Sequence, residues 1–92
     1  MRVKLTPRAS RDIRGHIDWL TERAPGAAEL ASFAIFDALS RLSEYPLSGA
    51  PREGVRRETH VRFGQYGFVI RHEVLRDVVV VTRVLHGAKD RR

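Results

Sequence analysis

Apolar side chains recur along residues 9–20 at the spacing of an α-helix. The apolar positions, separated by four, four and three residues, are Ala9, Ile13, Ile17 and Leu20. This spacing places them on one side of a helix, while charged residues occupy the other side. Thr6 before Pro7 is typical of a helix start, because threonine can cap a free amide and proline tolerates the first helical position. The pattern therefore predicts a first helix that ends at residues 24–26, an Ala-Pro-Gly break.

A second helical pattern covers about residues 27–44. Its apolar positions are Ala28, Ala31, Ile35, Ala38, Leu39 and Leu42. Phe33 and Phe36 are expected to widen this apolar surface. Because small alanines allow two helices to approach closely, we expect an antiparallel helical hairpin joined by a short turn.

From residue 55 the apolar period changes to two, which is typical of β-strands. Residues 45–54 are rich in proline and glycine and predict a loop, and the strands after it are expected at 55–63, 66–74 and 78–85. The last strand begins with four consecutive valines, which favours a central position with both faces covered. Val3 and Leu5 indicate a further short strand before the first helix.

The element order is therefore β-α-α-β-β-β. This order predicts an α+β fold in which the helical hairpin packs on one face of a small, mainly antiparallel sheet. Ninety-two residues are expected to form a single domain, residues 1–92, because so short a chain buries too little apolar surface for a second core.

Composition excludes several classes of protein. No apolar run approaches the roughly 20 residues of a membrane span, and the amino-terminal residues lack the apolar stretch of a signal peptide, so we expect a cytoplasmic protein without a membrane partner. Without cysteine there is no disulfide scaffold or thiolate chemistry. The four histidines lack zinc-site spacing and the seven glycines are scattered singly, so we expect neither a metal nor a cofactor.

Charge is spread unevenly along the chain. Residues 1–46 hold seven basic and six acidic residues, whereas residues 47–92 hold ten basic and five acidic residues. Fifteen of the seventeen cations are arginine, which binds carboxylates and phosphates with two parallel hydrogen bonds. Such a positive half draws in acidic proteins or nucleic acid.

The basic residues of the predicted sheet leave three interpretations open. The set consists of Arg56, Arg57, Arg62, Arg71 and Arg83, with His60, His72, His86 and the tail residues 89–92. The first interpretation is RNA cleavage, in which arginines stabilise phosphate charge and His86 moves a proton. The second is a docking surface for a protein, either an acidic partner or an enzyme that works on DNA. The third is that Arg56 and Arg71 only form ion pairs with Glu58 and Glu73.

Several segments, in their order and spacing, resemble the ParE/RelE superfamily of toxins from type II toxin-antitoxin systems, and specifically its ParE branch. These segments are Leu5-Thr6-Pro7-Arg8-Ala9 with Asp12-Ile13, Leu42-Ser43-Glu44-Tyr45-Pro46 with Ser48-Gly49, Val55-Arg56, and Arg83-Val84-Leu85-His86-Gly87 with Asp90. The resemblance implies a toxin held inactive by an acidic, partly disordered, ParD-like antitoxin. ParE-type toxins act on DNA gyrase, whereas RelE-type relatives cleave messenger RNA on the ribosome.

The ParE-type ending and the missing lysine-rich second strand of RelE-like nucleases favour inhibition of DNA gyrase by binding, without catalysis. The alternative is a ribosome-dependent endoribonuclease that uses Arg56, Arg83 and His86. We expect no sequence-specific DNA binding by the toxin alone. His72 departs from the family, which commonly has tyrosine at this position, so a role that needs a phenol there is in doubt.

Two sets of residues follow as predicted binding sites. The predicted target-binding residues are Arg56, Arg71, Arg83, His86, Lys89, Arg91 and Arg92. An apolar groove beside the charged helix surface could accept a partner helix, so the antitoxin is expected to cover the hairpin and part of the sheet. The predicted antitoxin-binding residues are Ile13, Ile17, Leu20, Ile35 and Leu39.

Overall fold

A computed structural model of the chain describes residues 1–88. Its elements are β1 (Arg2–Leu5), α1 (Pro7–Arg23), α2 (Pro25–Glu44), β2 (Ala50–Pro51), β3 (Arg56–Val61), β4 (Phe68–Leu75) and β5 (Val78–His86). The predicted order and the α+β class are confirmed. The one added element is β2, a two-residue strand inside the expected loop, which pairs antiparallel with β3.

The sheet has the strand order β1-β5-β4-β3-β2. β1 runs parallel to β5, and every other neighbouring pair is antiparallel. The predicted central position of the last strand is confirmed, because β5 lies between β1 and β4. The expectation that both of its faces are covered was wrong: Val79 and Val81 are fully buried, but Val78 and Val80 are only half-buried. Only one face of this strand packs on helices.

The first helix begins as its sequence predicts. Thr6 is the N-cap of α1, and its side-chain oxygen accepts a hydrogen bond of 3.1 Å from the amide of Ala9. The second helix begins two residues earlier than expected, because Pro25 occupies its first turn, where a missing amide does no harm. Ala24 alone therefore joins the two helices, and it caps both.

The hydrophobic core lies between the helical hairpin and one face of the sheet. Its largest fully buried apolar side chains, from α2, β4 and β5, are Ile35, Leu42, Ile70, Val79, Val81 and Val84. Phe33 and Phe36 do not extend this core, contrary to expectation. They are 65% and 51% exposed and lie on the outer side of α2. No helix among residues 1–88 is long and apolar enough to cross a membrane.

The β4–β5 pair positions residues 83–87, one of the segments on which the family resemblance rests. Its register shifts between Arg71 and His72, so one extra residue of β5 is accommodated there as a bulge. Gly87 follows β5 and donates a hydrogen bond of 2.9 Å to the carbonyl of Gly67. A Cβ atom at Gly87 would collide with the carbonyl oxygen of Tyr66, which explains why glycine follows His86.

Candidate functional site

We call the face of the sheet that lies opposite the helices the open sheet face. Side chains alternate between the two faces of a strand, and Ile70 of β4 packs in the core, so its neighbour Arg71 belongs to the open sheet face. Arg71 lies opposite Glu58 of β3, and Arg56 and His60 share that side of β3. Three of the sequence-predicted basic residues therefore lie on one surface.

Glu58 is the centre of this surface. Its two carboxylate oxygens accept hydrogen bonds of 2.9 Å from the Nε atoms of Arg52 and Arg71, and the residue is only 8% exposed. Burial would raise the pKa of Glu58, but the two arginine hydrogen bonds and charges outweigh it and hold that pKa below its ordinary value. The arginines are thus partly neutralised from within the sheet.

The ion pairs on the open sheet face differ in one respect from those predicted by the third interpretation of the sequence. Arg71 does pair with Glu58, but the second cation on that carboxylate is Arg52, from the loop before β3. Arg56 lies opposite Glu73 on β4 and is exposed. Arg57 points elsewhere and donates hydrogen bonds to the carbonyls of Ser48 and Gly49, so it holds the loop to the sheet.

Arg83 is bound to the first helix. Its Nε donates a hydrogen bond of 2.7 Å to Oδ2 of Asp12, and its Nη2 donates one of 3.3 Å to Oδ1. The amide of Val84 donates to the same carboxylate at 2.9 Å. Both charged side chains are mostly shielded, at 26% and 16% exposed. This bidentate pair joins α1 to β5 across 71 positions of sequence.

The pKa values of the pair reflect this contact. Burial would raise the pKa of Asp12, but the hydrogen bonds from Arg83 and Val84, with the positive charge of Arg83, bring that pKa below its ordinary value. The hydrogen bond to Asp12 raises the pKa of Arg83. Both groups are therefore stabilised in their charged forms by each other.

The three residues considered for catalysis do not come together. Arg56 lies opposite Glu73, while His86 lies opposite Phe68, so five residues of β4 separate them. At about 3.3 Å per residue this is roughly 16 Å along the strands. They also lie on opposite faces, because the ring of His86 contacts Phe68 in the core, at 6.2 Å between centroids.

The predicted tail contribution lies outside the described residues. Lys89, Arg91 and Arg92 follow residue 88, where the structural description ends. The target-binding role of all seven nominated residues stays a prediction. Arg56 and Arg71 are the members that the structure places together on the open sheet face.

The predicted antitoxin-binding residues divide into two groups. Ile13, Ile35 and Leu39 are at most 7% exposed and pack in the core, so a partner would not reach them in this conformation. Ile17 and Leu20 are only partly buried against the core. Contact with an antitoxin is thus a prediction that we retain for Ile17 and Leu20 alone.

A cavity that the sequence did not reveal lies between α1 and one end of the sheet. We call it the aromatic cleft. It has a volume of about 380 Å³ and is lined by Gly15, His16, Trp19, Leu20, Phe63, Phe68 and His86. Its aromatic rings are close to one another: Phe63 and Phe68 lie 5.6 Å apart, and His16 and Phe68 lie 5.1 Å apart, between centroids.

His16 is held more firmly than a helix-surface residue would be. Its Nε2 lies 2.7 Å from the carbonyl oxygen of Val84. Because a carbonyl only accepts hydrogen bonds, Nε2 is the donor in this contact. In His86, Nδ1 accepts a hydrogen bond of 3.3 Å from the amide of Ala88. The sequence feature that could have pointed to this cleft is Gly15, a glycine in the middle of a helical pattern.

The remaining histidines do not join this cleft. His60 is exposed on the open sheet face, and His72 is 1% exposed, with Nε2 3.3 Å from the carbonyl oxygen of Pro46. Burial lowers the pKa of His72, and the charge of Arg57 adds to this effect. Within residues 1–88 no three histidine, aspartate or glutamate residues are grouped so that they could hold a metal ion.

A comparison with known protein families identifies the family of this chain. The sequence profile described as "ParE toxin of type II toxin-antitoxin system, parDE" matches residues 3–91. The chain belongs to the ParE toxin family. The resemblance inferred from the sequence motifs is therefore confirmed, and this ParE-family chain is a toxin of a type II toxin-antitoxin system, which implies an antitoxin partner.

Two relatives and one solved structure resemble this ParE-family toxin along most of its length. Toxin RelE3 of Caulobacter vibrioides is 36% identical, and the match covers 97% of each chain. Toxin RelE1 of the same organism is 39% identical over 97% of this chain and 96% of its own. The chromosomal ParDE system of P. aeruginosa contains a chain with a TM-score of 0.75 and 20% identity, covering 94% of this chain and 95% of that one. This last likeness concerns the fold alone.

Proposed function

We propose that this toxin inhibits DNA gyrase by binding it and does not itself break bonds. The family match over residues 3–91 supports a ParE-type activity. The observation that carries the proposal is the dispersal of the nominated catalytic groups: Arg56 and His86 lie on opposite faces of the sheet, and Arg83 is occupied by Asp12. A nuclease needs its cations and its proton donor within reach of one phosphate.

The open sheet face is the surface that we propose for the target. It carries Arg56 and Arg71 beside Arg52, and the tail residues 89–92 add further cations to the chain. Glu58 neutralises part of this charge and fixes the orientation of two guanidinium groups. A rigid, partly neutralised surface suits protein docking, in which charge contributes orientation and association rate more than affinity.

The direct test is the supercoiling of relaxed plasmid by purified gyrase. Increasing toxin should reduce supercoiling to a plateau, and the toxin variant Arg56→Ala should need a higher concentration. Arg76→Ala is the matched control, because Arg76 is also exposed but lies in the turn between β4 and β5. Unchanged supercoiling at saturating toxin would contradict the proposal.

The names of the two Caulobacter relatives favour a second candidate, the RelE-type cleavage of messenger RNA on the ribosome. Its test is the mapping of transcript ends in a translating extract. Arg83→Ala alone is a poor probe, because losing the pair with Asp12 would also weaken the fold. His86→Ala and Arg56→Ala are better, and loss of cleavage in both would favour the nuclease.

The acidic antitoxin is expected to suppress either activity. Expression of the toxin alone should arrest growth, and co-expression with its antitoxin should restore it. Restored growth with unchanged toxin levels would distinguish neutralisation from reduced expression. Normal growth with the toxin alone would indicate a harmless basic interaction domain instead.

A further inference from the structure

Gly15 lies in the middle of α1, where glycine is an unfavourable residue. It is the ninth of the seventeen residues of the helix. In a helix interior, glycine costs roughly 1 kcal/mol relative to alanine, because it gains more backbone freedom on unfolding. Gly15 has no positive φ angle and no close contact to explain it: a Cβ atom there would meet nothing within 4 Å. The backbone and the packing would both accept a larger residue.

What Gly15 does affect is the aromatic cleft, which it lines. A side chain at this position would extend into open space beside Trp19 and Leu20, which line the cleft from the same helix. The absence of that side chain keeps the cleft accessible. A volume of about 380 Å³ is ample for one large aromatic side chain.

The cleft belongs to a chain that is basic overall. None of its lining residues is acidic. The guanidinium of Arg23 lies 4.1 Å from the centroid of the Trp19 ring and is also paired with Glu22 at 3.6 Å. Arg62 is exposed immediately before Phe63. With a net charge of +6 for the whole chain, an apolar residue that enters here is best flanked by carboxylates.

We propose that the aromatic cleft receives a single aromatic side chain, phenylalanine or larger, from an acidic partner, and that Gly15 keeps it open. The inference rests on the proposed function, because it takes the antitoxin of this toxin to be the acidic partner. The anchor would stack among Phe63, Phe68 and Trp19, where offset aromatic contacts are favourable. Leu20, retained above as an antitoxin contact, lines the same cleft.

Trp19 makes the proposal measurable, because it is the only tryptophan of the chain and lines the cleft at 56% exposed. The probe is a glutamate-rich peptide with one central phenylalanine, the phenylalanine peptide. The matched probe has alanine in its place. The phenylalanine peptide should change Trp19 fluorescence saturably, with an affinity at least about tenfold higher than that of the alanine peptide, which is roughly 1.4 kcal/mol.

Variants at two glycines separate the cleft from the rest of the hairpin. Gly15→Leu fills the cleft, and we expect it to weaken binding of the phenylalanine peptide by about tenfold or more while raising the thermal midpoint. Gly26→Leu is the matched control, since Gly26 also has nothing within 4 Å but lies in the first turn of α2, away from the cleft. It should bind like the unmodified chain.

Three results would overturn the inference: equal binding of the two peptides, unchanged binding by Gly15→Leu, or equal weakening by Gly26→Leu. Ring proton shifts of Phe63 and Phe68, followed by NMR, give a second readout that does not depend on Trp19. The gyrase assay is independent of these measurements. If the toxin binds the phenylalanine peptide in a Gly15-dependent way but leaves supercoiling unchanged, the cleft stands and the target proposal fails.

Discussion

Asp12 shows how one side chain can connect distant parts of a small fold. Its carboxylate accepts hydrogen bonds from Nε and Nη2 of Arg83 and from the amide of Val84. Charge-assisted hydrogen bonds of this kind are roughly twice as strong as neutral ones. A cation that the sequence suggested for target binding is therefore also part of the support of the fold.

We expect Asp12→Asn to destabilise the chain by about 1.5–3 kcal/mol, because Arg83 keeps its charge but loses its carboxylate partner. Urea unfolding at pH 7, followed by circular dichroism, measures the free energy of unfolding. Asp18→Asn on the exposed side of α1 is the control and should stay within about 0.5 kcal/mol of the unmodified chain. A loss no greater than that of the control would mean that the pair with Arg83 contributes little.

His72 should make stability depend on pH. Because burial lowers its pKa in the folded chain, the unfolded chain binds this proton first as the pH falls below about 6.5. Stability should then fall by up to about 1.4 kcal/mol per pH unit until the folded-state pKa is reached. The carboxylates Asp12 and Glu58, with lowered pKa values, lose their contribution only at more acidic pH.

The contribution of His72 can be isolated by comparing unfolding free energies at pH 7.5 and 5.5. His72→Gln keeps a donor for the carbonyl of Pro46 but does not titrate, so its stability should change less between these pH values. His60→Gln, on the exposed side of β3, should retain the full pH dependence. Equal pH dependence in the His72 variant and the unmodified chain would assign the effect to other groups.

At the scale of elements, the second helix has two apolar sides, and only one of them is used by the fold. Ile35 is fully buried, while Leu30, Phe33 and Phe36 are each more than half exposed. Periodicity correctly placed Ala31, Ile35 and Leu39 on the buried side. It did not show that Phe33 and Phe36 lie outside the core, because apolar residues occur nearly all round the helix. The packing against the sheet decides which of the further apolar residues remain exposed.

Ile35→Ala should lower the free energy of unfolding by about 2–5 kcal/mol, because it leaves a cavity in the core. Phe33→Ala removes a larger side chain but should change stability by less than about 0.5 kcal/mol, since the ring is 65% exposed. Urea unfolding of the two variants under the same conditions compares them directly. A larger loss of unfolding free energy for Phe33→Ala than for Ile35→Ala would indicate that the opposite side of α2 faces the sheet.

The positions of the main strands were predictable from the sequence, but their pairing and register were not. The period of two and the four valines placed three strands and the central position of β5, since these depend on local patterns. β2 was not predictable, because two residues carry no period, and pairing with Glu58 and Arg57 defines it. The separation of Arg56 from His86 depends on strand register, and register cannot be read from one sequence.

For the whole molecule, the two proposed surfaces lie on opposite sides of the sheet. Phe68 faces the aromatic cleft, whereas Arg71 belongs to the open sheet face, three positions along β4. An antitoxin anchored in the cleft must therefore extend around the end of the sheet to cover the open sheet face. A long, partly disordered acidic partner suits this geometry better than a compact one.

The positive charge of the chain should act mainly on the rate of association. We expect the association rate of the phenylalanine peptide, followed by stopped-flow fluorescence of Trp19, to fall by about tenfold between roughly 30 and 300 mM NaCl, because salt screens the attraction. The dissociation rate should change by less than about twofold, since the anchor in the cleft is apolar. A control peptide with glutamine in place of glutamate should associate slowly at every salt concentration. A salt effect mainly on dissociation would instead place direct ion pairs at the centre of the contact.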